Sequence, residues 1–313
     1  MGVTVVSYFY YIIIIYNLKF PILFVNMLNP PLSLLSDDLL ACIVEEVAKY
    51  PFADEILNKL SLADRAFTQS CQKYIFRTLI LGNRRKAMIS KQLANVKNFL
   101  DDKPSFGNRV RMVQLQQFGI SFFKDPNFIS ILQLLAKSPM SPHEFQLGCF
   151  GSPMRSTIED PMLVMRQLSE SFFSRTLTIL HVNSCANVPL PLFLICPRLR
   201  EVFLDMDGAT DKSYDEYPDN QCSGREAPLL EVFQYRNSHS VVEQMITPPP
   251  RFKTPVVLWS NLRVLTLAPH DKEGVACLQS ILDAACNTLE ELYLTSIDTG
   301  YCRYGVSNNT DRI

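Results

Sequence analysis

The sequence predicts an α/β chain in which a short helical segment precedes a series of stacked strand-and-helix units. Three observations predict this fold class. Apolar residues recur at helical spacing between residues 32 and 81, short runs of aliphatic anchors recur further along the chain, and helical stretches lie between those runs. A single unit of this kind cannot bury its own apolar face, so neighbouring units must stack and share one core. A chain of 313 residues is long enough for such an array.

A first amphipathic helix is predicted to begin after Ser36. The Ser36 hydroxyl can accept a hydrogen bond from a free amide, and Asp37 and Asp38 then lie at the positive end of the helix dipole. Pro51 ends this helix because proline lacks the amide hydrogen that a helix needs. The apolar residues that share one face of this helix are Leu39, Leu40, Ile43, Val44 and Val47.

Two further helices are predicted before residue 76. Helices this short are marginal alone, so each must bury its apolar stripe against another surface. The second helix carries Ile56, Leu57 and Leu60. The third carries Leu62, Ala66, Phe67, Cys71, Tyr74 and Ile75.

The anchor runs have a spacing like L-x-x-L-x-L, in which the aliphatic positions predict the inward side chains of short strands. One run lies at residues 110–115, and later runs begin at Leu177, Leu199, Leu230, Leu262 and Leu289. The later starts are separated by 22, 31, 32 and 27 residues, which are the lengths of leucine-rich units with some insertion. Helices predicted at 128–137, 162–173 and 275–286 would form the outer side of the array. The proline-rich intervals 182–199 and 245–255 predict irregular structure, and 205–226 predicts a loop.

Residues 1–26 form an apolar leader for which three interpretations remain open. A membrane span has about the right length, roughly twenty residues, but Asn17, Lys19 and Pro21 interrupt it. A secretory signal would need a basic beginning and a small-residue cleavage site, which the leader lacks. In the third interpretation translation begins at Met27, and the leader is a gene-model extension.

The remaining domain boundaries follow from the patterns above. Residues 27–82 are predicted to form the helical domain and residues 83–298 the repeat domain. Residues 299–313 lose both periodicity and apolar content, which predicts an irregular tail.

Composition excludes several classes of partner and cofactor. Thirty basic residues balance thirty-one acidic ones, so the chain lacks the positive charge that nucleic-acid binding requires. The nine cysteines lie mostly in apolar runs, which is typical of buried thiols in a reducing compartment. The chain contains no C-x-x-C pair, and its four histidines are scattered, so we expect neither a metal site nor a cofactor.

No sequence motif points to catalysis, and we predict no catalytic residues. Asp205 to Gly208 reads as a solvated turn because it lacks the further ligands of a calcium loop. His181 and Cys185 could form a nucleophilic pair, but a half-buried strand histidine is the favoured interpretation. An enzyme with a dispersed site in the loop 205–226 is the least favoured hypothesis.

Residues 35–79 resemble the F-box of divergent fungal proteins. Leu35–Leu40 and the apolar residues that follow match its first helix, and Leu60–Phe67 with Tyr74–Leu79 match its second half. The Leu-Pro opening common in that family is Leu35-Ser36 here, although serine is still a good helix cap. The family pairs this motif with degenerate leucine-rich units, and the resemblance extends to about Thr295. It implies a three-helix F-box-like hairpin followed by an irregular leucine-rich-repeat solenoid.

The resemblance implies a non-enzymatic substrate-recognition adaptor of the cytoplasm or nucleus. Its helices would dock on a Skp1-like linker of a cullin ubiquitin ligase, and its repeats would present a concave face to a target protein. The expected partner-binding residues are Leu35, Leu39, Leu40, Ile43, Val44, Val47, Leu60 and Phe67. The alternative is a membrane-anchored leucine-rich scaffold, in which the leader spans the bilayer and the helices only cap the array.

Overall fold

The computed structural model describes residues 36–49, 53–82, 88–116, 119–148, 156–169, 171–205, 226–236, 238–247, 255–267, 272–294 and 311–312. The chain divides into two compact units, Met1–Ile75 and Phe76–Ile313, which we call the helical unit and the sheet domain. The predictions for the leader 1–26 and for all of the tail except 311–312 lie outside the described residues. No helix in the described part of the chain is long and apolar enough to cross a membrane.

The described part of the helical unit contains three helices, α1 (Asp37–Val47), α2 (Ala53–Ala63) and α3 (Arg65–Ile75). The predicted start of α1 is confirmed, because the Ser36 hydroxyl accepts a hydrogen bond from the Leu39 amide at 3.4 Å. The helices bury a small core of their own, which consists of Leu40, Val44, Val47, Leu57, Phe67 and Cys71.

Leu62 lies in α2, whereas the sequence pattern assigned it to the third helix. The helical structure is interrupted between α2 and α3 at Asp64, whose carboxylate accepts a hydrogen bond from the Ala66 amide at 2.9 Å. This bond satisfies an amide at the start of α3 that has no partner within the helix. The break therefore follows the capping residue rather than the apolar spacing.

The sheet domain is built on a parallel sheet, which confirms the α/β class. Its strands are β1 (Thr78–Leu81), β2 (Met112–Leu115), β3 (Glu144–Leu147), β5 (Ile179–Asn183), β7 (Glu201–Asp205), β8 (Val232–Arg236), β9 (Val264–Leu267) and β10 (Glu291–Leu294). Each of these strands pairs in parallel with the one before it in this series. The short strand β11 (Asp311–Arg312) pairs antiparallel with β10, and β4 (Ser156–Thr157) pairs separately with β6 (Cys185–Ala186).

Helices connect most strands of the parallel sheet in the described part of the chain. They are α4 (Ile89–Asp102), α5 (Ile120–Lys124), α6 (Pro126–Lys137), α7 (Pro161–Ser169), α8 (Phe173–Thr176), α9 (Pro191–Leu194), α10 (His239–Ile246) and α11 (Lys272–Ala285), together with a 3-10 helix at Pro104–Arg109. The helix predicted at 162–173 is two helices, because the Ser171 hydroxyl donates to the Leu168 carbonyl and competes with a further turn. The intervals predicted to be irregular contain α9 and the end of α10.

Strand residues alternate between a buried face and a second face. The predicted anchors are buried in every run except the last, in which Leu289, Leu292 and Leu294 are half-buried. Phe145 and Leu147 of β3 are also fully buried, although no anchor run marked that strand. The buried face and the helices form one continuous core, as stacked units require.

Candidate functional site

Two surfaces are candidates for function, and the first lies on the helical unit. Of the predicted partner-binding residues, Leu40, Val44, Val47 and Phe67 are buried in the unit's own core. Their side chains stabilise the three helices and are not accessible to a partner in this structure. Leu39 is 42% exposed, and Ile43 and Leu60 are half-buried, so a partner can contact these three. Leu35 lies outside the described residues.

Leu62 is an exposed apolar residue of the helical unit that the sequence did not predict to contact a partner. Its side chain is 87% exposed at the end of α2, the largest exposed fraction among the large apolar residues of the described chain. The pattern placed Leu62 on a buried stripe of the third helix, so it gave no signal of exposure. Because this side chain is exposed, a partner can contact and desolvate it.

The second surface is the face of the parallel sheet whose side chains alternate with the buried anchors, which we call the open face. Strand register brings Glu144, Ile179, Glu201 and Val232 into one row across β3, β5, β7 and β8. His181, Phe203 and Gln234 lie in the next row. Gln234 is exposed, and His181 and Phe203 are half-buried.

On the open face, His181 contacts both a glutamate and an aromatic ring. The His181 Nε2 atom lies 3.1 Å from the Glu144 Oε1 atom. The imidazole also stacks on the Phe203 ring, with 4.5 Å between ring centroids and 10° between ring planes. These contacts hold the rings of His181 and Phe203 in a stacked arrangement between β5 and β7.

The two glutamates of this row have opposite pKa shifts. Burial favours the neutral form of Glu144, but the hydrogen bond and charge of His181, with a contribution from Arg77, lower the pKa of Glu144 overall. Burial and the negative charges of Glu144 and Glu231 raise the pKa of Glu201, and His181 offsets this only in part. Glu144 therefore has a hydrogen-bonded neighbour, His181, that favours its ionised form, whereas Glu201 lacks comparable compensation.

The cysteines differ in reactivity according to their burial. Burial raises the pKa of the Cys71 thiol to about 11 and that of the Cys185 thiol to about 12. Burial therefore favours the neutral thiol form of both residues. Cys42 and Cys286 are exposed, which corrects the expectation of buried thiols for these two. That expectation was based only on the apolar residues around each cysteine in the sequence, which do not show which face of a helix the cysteine lies on.

The predicted acidic turn after β7 falls mainly outside the described residues, because the description of this segment stops at Asp205. Within the described chain, no group of three or more His, Cys, Asp or Glu side chains is arranged to hold a metal ion. Comparison with protein-family models and with curated proteins found no match to this chain.

Proposed function

We propose that this protein is a non-enzymatic substrate-recognition adaptor of a cullin ubiquitin ligase. In this proposal the helical unit is F-box-like and docks on a Skp1-like linker protein, and the sheet domain is an irregular leucine-rich-repeat array that binds a target protein. The observation that carries the proposal is the pairing of two separately cored units in one chain, a three-helix unit and a parallel sheet.

The accessible apolar residues of the helical unit support the docking role. Leu39 and Leu62 expose large apolar side chains, and the half-buried Ile43 lies one turn from Leu39 on α1. Exposed apolar side chains at helical spacing are the anchors by which helices pack into a partner's groove. The buried residues Val44 and Phe67 would act indirectly, by holding these anchors in place.

The order of the strands supports the array. Each strand from β1 to β10 in the parallel sheet follows its predecessor in the chain, and in the described residues every such pair except β7 and β8 is linked through helical structure. Stacked units of this kind leave one face of the sheet for binding. The hydrogen-bonded pair of His181 and Glu144 on that face supports a binding role.

A binding experiment on the full chain tests the docking role. We expect the wild-type protein to co-elute with a Skp1-like protein at micromolar concentration in size-exclusion chromatography. Leu39→Asp should weaken this complex at least roughly tenfold, because it places a charge in a desolvated contact. The aspartate would lie in the first turn of α1, where the helix dipole favours it, so the fold should be retained.

Val275→Asp is the matched control, because Val275 is 56% exposed near the start of α11 in the sheet domain. It should leave binding of the linker unchanged. Absence of co-elution for the folded wild-type chain would refute the adaptor proposal. Equal weakening by both substitutions would refute the docking role of Leu39.

A further inference from the structure

The charges on the open face are mostly negative. The open-face strand positions carry the carboxylates of Glu144, Glu201, Asp205 and Glu291, against the single guanidinium of Arg236. A face of this kind repels phosphate groups and attracts cations. It therefore favours a protein segment with basic side chains over a nucleic acid or an anionic membrane.

Among these carboxylates, Glu201 has a charge that is compensated only in part, by His181. Glu144 pairs with His181, and Glu291 contacts the Tyr293 hydroxyl. The arginines nearest in register already bind other carboxylates, since Arg200 pairs with Glu231 at 3.0 Å and Arg263 pairs with Glu290 at 2.7 Å. Glu201 is half-buried, and its neighbours in the row are the apolar side chains of Ile179 and Val232.

Phe203 provides an aromatic surface next to this carboxylate. It lies two residues after Glu201 on the same strand, so both side chains are on the open face. His181 of β5 covers one side of the Phe203 ring. The other side is turned toward β8, where Gln234 holds the neighbouring register position and is exposed. A planar cation against this side of the ring would be within reach of the Glu201 carboxylate.

We propose that the open face binds an arginine-containing segment of the target protein, with the guanidinium placed between the Glu201 carboxylate and the Phe203 ring. Arginine is favoured over lysine because its planar group can stack on an aromatic ring and bind a carboxylate in a bidentate manner. The His181–Glu144 pair positions the Phe203 ring and does not contact the arginine. This inference rests on the proposed function, since it names the class of target that the adaptor recognises.

Peptide selection on the full-length protein tests the inference. Dodecapeptides from a random phage-displayed library are selected on wild-type protein and on Glu201→Gln, and a selected peptide is then synthesised for calorimetry. We expect arginine to be enriched among the peptides selected on wild type but not on Glu201→Gln. The peptide should bind Glu201→Gln roughly tenfold more weakly, the loss expected for a charged hydrogen bond. Replacing its arginine with lysine should also weaken binding.

Glu290→Gln is the matched control, because Glu290 is an exposed carboxylate that already has a partner and lies outside the open-face positions. It should leave the affinity for the peptide unchanged. Phe203→Leu keeps an apolar side chain but removes the ring, and it should reduce the preference for arginine over lysine. A lack of arginine enrichment, equal binding of the lysine peptide, or full affinity of Glu201→Gln would overturn the inference.

Binding of the Skp1-like protein is measured on the same preparations, so that the two proposals can fail separately. Glu201→Gln should leave linker binding unchanged. If wild type binds arginine peptides but no linker, the adaptor proposal fails and the arginine site stands. If it binds the linker but selects no arginine, the docking role stands and the arginine site fails.

Discussion

The helical unit and the sheet domain bury their apolar residues on very different scales. In the described residues of the helical unit the core has a few members, and Phe67 is the one aromatic side chain among them that is fully buried. The core of the sheet domain is continuous from Leu81 to Ala285. A small core leaves little margin of stability, whereas a stacked array shares its stability among many neighbouring contacts. The comparison predicts that truncating a buried side chain unfolds the helical unit more readily than the sheet domain.

Phe67→Ala should have the largest effect, because it removes the main aromatic group of the smaller core. Truncating a buried phenylalanine costs about 3–5 kcal/mol, a large part of the stability of any small domain. We expect Cys71 to become rapidly alkylated in this variant while Cys185 stays protected, because each thiol is buried in the core of a different unit. Peptide mapping by mass spectrometry after alkylation measures both rates.

Phe145→Ala provides the comparison in the sheet domain, where Phe145 is equally buried. It should leave the protection of Cys71 unchanged. If the alkylation rates of Cys71 and Cys185 rise together in either variant, the two units unfold as one and the comparison is wrong.

Gly148→Ala should have the next largest effect, and it tests whether the larger core can absorb local strain. Gly148 follows β3 with a φ of +82°, and an added Cβ would lie 1.8 Å from the Asn183 carbonyl oxygen. The unfavourable φ alone costs roughly 1–3 kcal/mol, and the clash adds to it. We expect a clear fall in the melting temperature, measured by circular dichroism.

Gly107→Ala is the control for this substitution, because no atom lies within 4 Å of the added Cβ. It should leave stability unchanged or raise it slightly by restricting the unfolded chain. Equal melting temperatures for Gly148→Ala and the wild type would contradict the close approach of β3 and β5.

Glu144→Gln and Glu201→Gln should have smaller effects of opposite sign. The folded-state pKa of Glu144 is lowered, so its contribution to stability is present above the ordinary value of 4.5 and is lost as the pH falls through the folded-state pKa. The folded-state pKa of Glu201 is raised, so its ionised form destabilises the fold above that pKa, and this effect disappears below 4.5.

We therefore expect Glu144→Gln to lower the free energy of unfolding at pH 7 and Glu201→Gln to raise it. Both differences from wild type should shrink toward pH 3, as chemical denaturation at the two pH values would show. A destabilising effect of Glu201→Gln at pH 7 would mean that its carboxylate is already compensated within the chain.

The sequence predicted the parts of the fold that depend on local chemistry. The start of α1 follows from Ser36 and the two acids after it, and the structure confirms the cap. The anchor runs predicted the buried face because alternation within a strand needs no knowledge of its neighbours. Strand β3 was missed, since its four residues contain only Phe145 and Leu147 as apolar members and form no six-residue run.

The candidate site on the open face could not be predicted, because it depends on the register between strands. Glu144 and His181 are 37 residues apart, and spacing along the chain does not indicate that they meet. His181 was correctly expected to be a half-buried strand residue, but its carboxylate and aromatic partners were not foreseen. On the helical unit, periodicity identified apolar residues and could not separate buried Val44 from exposed Leu39.

The alternation of the sheet has a consequence for how this protein could diversify. Residues 201, 203 and 205 point to the open face, while residues 202 and 204 between them hold the core. In the proposed adaptor, mutations at residues 201, 203 and 205 would change target recognition with little effect on folding, and residues 202 and 204 can stay constant. A gene duplicate could thus acquire a new target through a few substitutions on neighbouring strands, without passing through an unstable intermediate.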